Sequence, residues 1–152
     1  MDNKVASLYK AAFREYSIII IGQTEKIKNL QTVSTIIEQL IELNADRTYF
    51  LLAVGGGIVC DIAGFVASIY LRGIDFGFIS STLLSQVDAS VGGKNGVNFQ
   101  GFKNMIGVFN QPKFVLCDPE MLSTLDSEDL NCGFAEIVKH ILIADKAMFE
   151  KL

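Results

Sequence analysis

The chain has 152 residues, half of them apolar and a fifth charged, with a formal net charge of −4. That length and composition describe a globular chain of one domain's size that can bury a real core. The acidic balance argues against nucleic acid as a partner, and no uncharged apolar stretch is long enough to cross a bilayer.

No low-complexity tract or long charge run marks a disordered segment. The opening MDNKVASLYK lacks the apolar stretch of a signal peptide, so the cytoplasm is the expected compartment. Leu8–Tyr16 reads as a half-helix. Ser17–Ile21 (SIIII) is a β-branched run expected as a strand buried on both faces. Ile27, Leu30, Val33, Ile36, Ile37, Leu40 and Ile41 recur at intervals of three and four, which predicts a helix over Lys26–Leu43 with Thr24 as a candidate N-cap. Tyr49–Val54 is expected as a second buried strand, and Gly55–Gly57 turn the chain into a buried helix, Ile58–Leu71.

Arg72-Gly73 ends that helix, and Ile74–Ile79 reads as a third strand. Thr82–Ser90 is expected as a short helix, Val91–Pro112 as a long functional loop, and Phe114–Cys117 as a fourth strand. A final helix covers Asn131–Leu152, with more apolar surface than a terminal helix needs. Repeated strand–helix units imply an α/β fold, a Rossmann-like parallel sheet with helices on both faces. Both ends read as truncated, with a strand expected ahead of Leu8. Cys60, Cys117 and Cys132 are far apart among apolar neighbours and are expected as small core residues in a reducing compartment.

Three segments could carry chemistry. VGGGIVCD, Val54–Asp61, places three glycines between a strand and a helix, where backbone amides and the helix dipole favour a phosphate. The alternative is a tight turn packed on its neighbours, since the GxGxxG spacing is not met. Asp61, read in the helix's first turn, could accept from a ribose or substrate hydroxyl. The loop after Ser81 brings Asp88 and Lys94 together, with Lys103 and Asn104 close behind, types that bind hydroxyls, carboxylates and phosphates. Its GGK lacks the P-loop spacing, which excludes an ATPase, and a solvated loop remains the alternative. In the last helix Glu136, Lys139 and His140 share a face; Glu136 and His140 are either metal ligands one turn apart or part of a surface ion pair. Glu25 and Lys28 open the first full helix and read as first-turn solvated charges rather than ligands.

Four ordered strings, GGGIVCDIAGFVASIYLRG, STLLSQVDASVGGKNGVN, GFKNMIGVFNQPKFVLCD and CGFAEIVKH, resemble the 3-dehydroquinate synthases of the shikimate pathway. The resemblance runs from about Glu25 to the end and extends to related sugar-phosphate cyclases. It implies an NAD-binding α/β domain over residues 1–126, lacking its first strand, and the start of a helical metal-binding domain over 127–152. It implies NAD contacts from Glu25, Lys28, Gly56, Gly57, Asp61, Ser81, Thr82, Lys103 and Thr124. Substrate contacts would come from Arg72, Asp88, Lys94, Asn104 and Lys139, with Arg72 reaching a neighbouring subunit of a homodimer. Glu136 matches a zinc or cobalt ligand; His140 does not, because the family's histidine ligands lie in the later helical domain. The implied substrate is a small sugar-acid phosphate, with no nucleic-acid or membrane partner. Ser80-Ser81-Thr82 replaces the family's Pro-Thr-Thr, which predicts a looser loop and a weakened NAD contact.

Overall fold

In a computed structural model, which describes residues 1–151, the architecture is α/β. Three parallel strands, β1 (Phe50–Gly55), β2 (Asp75–Ser80) and β5 (Val115–Cys117), form one sheet in the order β1-β2-β5. Helix α3 (Gly57–Ile69) crosses from β1 to β2, its mixed apolar surface matched by burial on nearly every side. The core of Cys60, Ile62, Val66, Phe76, Phe78 and Val97 lies where α3, the sheet and a hairpin meet. On the opposite sheet face, α1 (Asn3–Tyr9) and the short 3₁₀ turn Pro119–Thr124 place Val5 and Met121 against Val54 and Ile79.

The segment expected as a long loop is mostly an antiparallel hairpin, β3 (Lys94–Phe99) and β4 (Phe102–Phe109). Glycine and asparagine serve close approach here. Gly96 and Gly107 face each other across the strands, and a Cβ on Gly96 would meet the carbonyl oxygen of Ile106 at 2.5 Å. Buried Asn95 satisfies its amide by donating to the carbonyls of Gly93 and Asn110 at 2.9 and 2.7 Å. The pattern concealed a strand pair because its alternation is carried by residues with low β-propensity.

Ser17–Ile21 is not a buried strand. Ile20 is exposed, and among the described residues the segment's β-bridge is with Asp2 alone. The Met1 ammonium donates to the Ile19 carbonyl at 2.9 Å, and the Ile21 amide donates to the Met1 carbonyl at 3.0 Å. Two residues of partner give a bridge, not a ladder. Between this segment and the outer edge of β1 lies an apolar slot of about 360 Å³ lined by Ile18, Ile19, Tyr49 and Leu52.

Helix boundaries follow side-chain caps that periodicity does not reveal. Helix α2 spans Leu30–Glu42, starting later than expected because Asn29, not Thr24, accepts from the Thr32 amide at 3.0 Å. Glu25–Ile27 forms a separate 3₁₀ turn. The N-terminal helix likewise starts earlier than Leu8, at Asn3, where Asp2 accepts from the Val5 amide. Helix α4 spans Ser127–Ala144, since Asp126 accepts from the Asp129 amide. Asp145 then leaves helical geometry (φ −144°, ψ 85°) and caps the short α5, Lys146–Phe149, so the expected continuous last helix is broken. Leu152 lies outside the described residues. The cysteine expectation holds for Cys60 alone: Cys117 and Cys132 are exposed. Burial pushes the Cys60 thiol up to about 12, which leaves it a small core residue rather than a nucleophile. No helix among the described residues is long and apolar enough to cross a membrane.

Candidate active site

β1 delivers Gly55 to the end of the sheet, Gly56 is the N-cap residue, and α3 begins at Gly57. No side chain caps this N-terminus, so its first amides remain available and the positive end of the helix dipole is open. The turn is tight. A Cβ at Gly56 would meet the Thr82 methyl at 2.9 Å, and one at Gly57 would meet the Ala89 Cβ at 2.9 Å. A cavity of about 470 Å³ opens here, and five predicted cofactor residues line it: Gly56, Gly57, Ser81, Thr82 and Thr124. Amides, small hydroxyls and a helix N-terminus are the donors a pyrophosphate requires. Packing and ligand approach are thus compatible readings of the same glycines.

The loosening expected from the missing proline is not what the structure shows. Ser80 is fully buried and its hydroxyl accepts from Ser85 at 3.1 Å, while Gln86 donates to the carbonyls of Ser80 and Asp118, each at 3.0 Å. The Ser81 amide donates to the Gly55 carbonyl at 2.9 Å, and Thr82 Oγ1 accepts from the Ser85 amide. The segment is tied on both sides.

Asp61 lies in the second turn of α3, not the first, and it is partly buried. Lys28, itself buried, donates to Asp61 Oδ2 and to Asn104 Oδ1, both at 2.5 Å. Burial raises the Asp61 carboxyl above its ordinary range, and the Lys28 ammonium opposes that shift. Lys28 is therefore no solvated helix charge; it joins the 3₁₀ turn, α3 and the hairpin. Asn104 holds a left-handed conformation (φ 52°), its amide donating to Asn98 Oδ1 at 2.8 Å. Asn98 Nδ2 in turn donates to Glu25 at 2.7 Å.

A second cavity, about 540 Å³, gathers Asp61, Asp88, Lys94 and Asn104, the residue types singled out for a polyhydroxylated anion. Arg72 lines neither cavity. It sits exposed after α3 in left-handed backbone (φ 68°). Lys103 is exposed on β4 and also outside both.

Asp88 arrives on a π-helical turn, Ser85–Ala89, which packs against α4. Gly133 permits the contact, since a Cβ there would meet Leu83 Cβ at 2.5 Å. Glu136 Oε2 is shielded from solvent and pairs with Lys139 Nζ, one helical turn away, rather than with His140 alone. That contact raises the Lys139 ammonium above its usual range. His140 Nε2 stands 3.5 Å from Asp88 Oδ1 and 4.0 Å from Glu136 Oε2. One ligand atom from each of Asp88, Glu136 and His140 falls within 4.8 Å of the others. Two carboxylates and an imidazole form a donor set suited to zinc or cobalt.

In the sequence His140 carries only its i, i+4 relation to Glu136 as a signal; Asp88 joins the two through tertiary packing alone. Gln86 and Asn98, which tie the cavity walls together, carried no signal beyond being polar in a polar stretch.

The model of the 3-dehydroquinate synthase N-terminal family matches residues 18–132. A 3-dehydroquinate synthase from Campylobacter curvus is 53% identical over 138 residues, 91% of this chain and 40% of that protein. The chain spans about two-fifths of the length of the curated relatives it matches. Among solved structures, 2-epi-5-epi-valiolone synthase from Streptomyces hygroscopicus subsp. jinggangensis, with NAD⁺ and Zn²⁺ bound, superposes with a TM-score of 0.93 at 34% identity, over 98% of this chain and 44% of its own. A 2-deoxy-scyllo-inosose synthase complexed with carbaglucose-6-phosphate, NAD⁺ and Co²⁺ gives 0.86 at 31%, over 93% and 41%. The Rossmann-like reading of the strands is thereby matched in solved folds, and the motif strings in sequence: the chain belongs to the 3-dehydroquinate synthase N-terminal family.

Proposed function

We propose that this chain is the dinucleotide-binding part of a 3-dehydroquinate synthase, an NAD- and metal-dependent lyase that converts a seven-carbon keto-acid phosphate to 3-dehydroquinate in aromatic amino-acid biosynthesis. The cavity at the uncapped N-terminus of α3 carries this reading. Residues 1–126 form the NAD-binding part, and 127 onward opens the helical metal-binding part. The enzyme is cytoplasmic and homodimeric, and Arg72 extends toward the neighbouring subunit's substrate phosphate.

Gly56 and Gly57 admit the pyrophosphate against α3's free amides, while Ser81, Thr82 and Thr124 offer hydroxyls from the facing wall. Lys28 holds Asp61 and Asn104 in place in the wall of the second cavity, one hydrogen-bonded strut joining α3 to the hairpin. Glu25 and Lys103 complete the cofactor's outer contacts. Lys94, Lys139 and Arg72 bind the carboxylate and phosphate, and Asp88 and Asn104 orient hydroxyls; their role is positioning more than proton transfer. Bound NAD would supply a reversible hydride acceptor, leaving a net loss of phosphate. A divalent metal held by Glu136 would act as Lewis acid toward the oxygen being oxidised.

The isolated chain does not turn over, because Glu136 is one metal ligand of three and the family's two histidine ligands come from its second half. Calorimetric titration should show NAD binding to the isolated chain and its loss in Gly57→Val; unchanged binding in the variant would sink the assignment of this cavity. The exposed Phe134, Leu142 and Phe149 on and after α4 favour one second reading, a subunit completed by a separate helical chain. Co-expression with the helical half of a relative that leaves solubility and metal binding unchanged would reject it. Another sugar-phosphate cyclase is the remaining enzymatic alternative, decided by which sugar phosphate the completed enzyme consumes.

A further inference from the structure

Resting on the cofactor reading above, we infer that Gln86 is a positioning residue for the dinucleotide: it does not line the cavity, and its side-chain amide holds together the two segments that carry Ser81, Thr82 and Thr124. The need for such a tie follows from the sheet. β1 and β2 pair over six residues, but β5 pairs with β2 over three, ending at Ser80 and Cys117. Beyond that rung the two backbones part. β2 runs into Ser81 and Thr82, and β5 runs through Asp118 into the Pro119–Thr124 turn. All three hydroxyl residues line one cavity, so its width depends on how these two strand ends are held.

Gln86 bridges the gap from the π turn. Its Nε2 donates to the Ser80 carbonyl and to the Asp118 carbonyl, each at 3.0 Å, so both amide hydrogens are used, one on each strand end. The opposite amide orientation would set Oε1 against two carbonyl oxygens, which fixes the assignment. The main chain is anchored to the same two ends. The Gln86 amide donates to the Thr82 carbonyl at 3.0 Å, and the Cys117 thiol donates to the Gln86 carbonyl at 3.8 Å. The π turn itself is held at its far end, where the Ser90 amide and hydroxyl both donate to the Ser85 carbonyl, at 3.1 and 2.6 Å. An apolar side chain of the same length would fill the space and leave both strand-end carbonyls without this donor. The hydroxyls would then lose their common reference, and a bound dinucleotide would have to order the cavity itself.

The test is calorimetric titration of the isolated chain with NAD across a pH series, with position-resolved amide exchange on the same samples. Gln86→Met keeps the length of the side chain and removes both donors; it should weaken NAD binding by about ten-fold. Its Met121 and Leu125 amides, which close the turn after β5, should exchange faster, while the Cys60 amide in α3 should not change. Gln86→Glu separates hydrogen-bond donation from bulk. Its carboxylate would face two carbonyl oxygens, which raises its pKa, so NAD binding should be weakest at alkaline pH and recover as pH falls and the protonated acid regains one donor. The parent and Gln86→Met carry whatever Asp88 and Asp118 add to the profile, and neither should show that recovery. Circular dichroism checks that each variant is folded; Gln86 is half-buried, so both substitutions are compatible with the fold. Parent-like NAD affinity in folded Gln86→Met, or a Gln86→Glu profile parallel to that of Gln86→Met, overturns the inference and leaves the cofactor reading standing. No NAD binding by the parent rejects both.

Discussion

The two sides of the site are built differently. The proposed cofactor side rests on β1, β2 and α3, where Val66, Cys60 and Ile62 are fully buried and even polar Ser80 and Ser85 are dry. The proposed metal side rests on α4, where only Gly133 and Ile141 are buried and Phe134, Leu142 and Ile143 face solvent. One wall is held by the core; the other is held by one close glycine contact and a few half-buried side chains. Rigidity should therefore belong to the dinucleotide wall, while α4 belongs to the low-stability end of the molecule, where local opening is cheap.

The largest test of that contrast is a core deletion. Phe78→Ala removes a ring that is 1% exposed and packed on Phe76, and should cost about 3–5 kcal/mol in denaturant unfolding. A cost under about 1 kcal/mol would mean that the sheet is not the rigid side.

Lys28→Met probes the strut that ties α3, in the rigid wall, to the hairpin. It leaves Asp61 partly buried without its cation and should cost about 3 kcal/mol at neutral pH. The pH dependence has a definite sign. Because burial raises Asp61's folded pKa above its unfolded value, its contribution is fully present below the unfolded pKa and is lost as pH rises through the folded one. Without Lys28 the raising increases, so the gap between variant and parent should narrow on acidification into the carboxylate range. A gap that widens instead would contradict the ion-pair role.

How legible these features were depends on the range of the interactions behind them. The buried α3 and β2 could be read because continuous apolar runs report burial directly, but the run of β1 overstates it, since Tyr49, Phe50 and Leu52 are exposed. The glycine turn could be read because no other residue passes so close to Thr82 and Ala89. Ser17–Ile21 misled, because a β-branched run reports strand propensity but not whether a partner strand lies beside it. The hairpin was missed for the opposite reason: Gly96 and Gly107 pair by backbone proximity, which hydrophobic alternation does not register. Glu25, Lys28, Asp61 and Asn104 were each picked out by type, yet only tertiary structure reveals that Lys28 bonds two of the others. The same holds for Asp88 and His140, 52 residues apart in sequence and 3.5 Å apart in space.

The smallest expected effect is the sharpest test of the metal wall. Leu142 is 61% exposed on α4, so Leu142→Lys removes no buried contact and should change global stability by no more than about 0.5 kcal/mol. If α4 is the loosely held wall, its amides should exchange faster than those of α3 in both parent and variant, since the substitution leaves Gly133 and Ile141 untouched. A destabilisation of about 2 kcal/mol or more would mean that Leu142 is covered in solution. A fall specifically with dilution in the parent, lost in the variant, would assign that cover to a second copy of the chain rather than to the chain's own core. The substitution thus distinguishes a wall that is weak by construction from one that is completed by association.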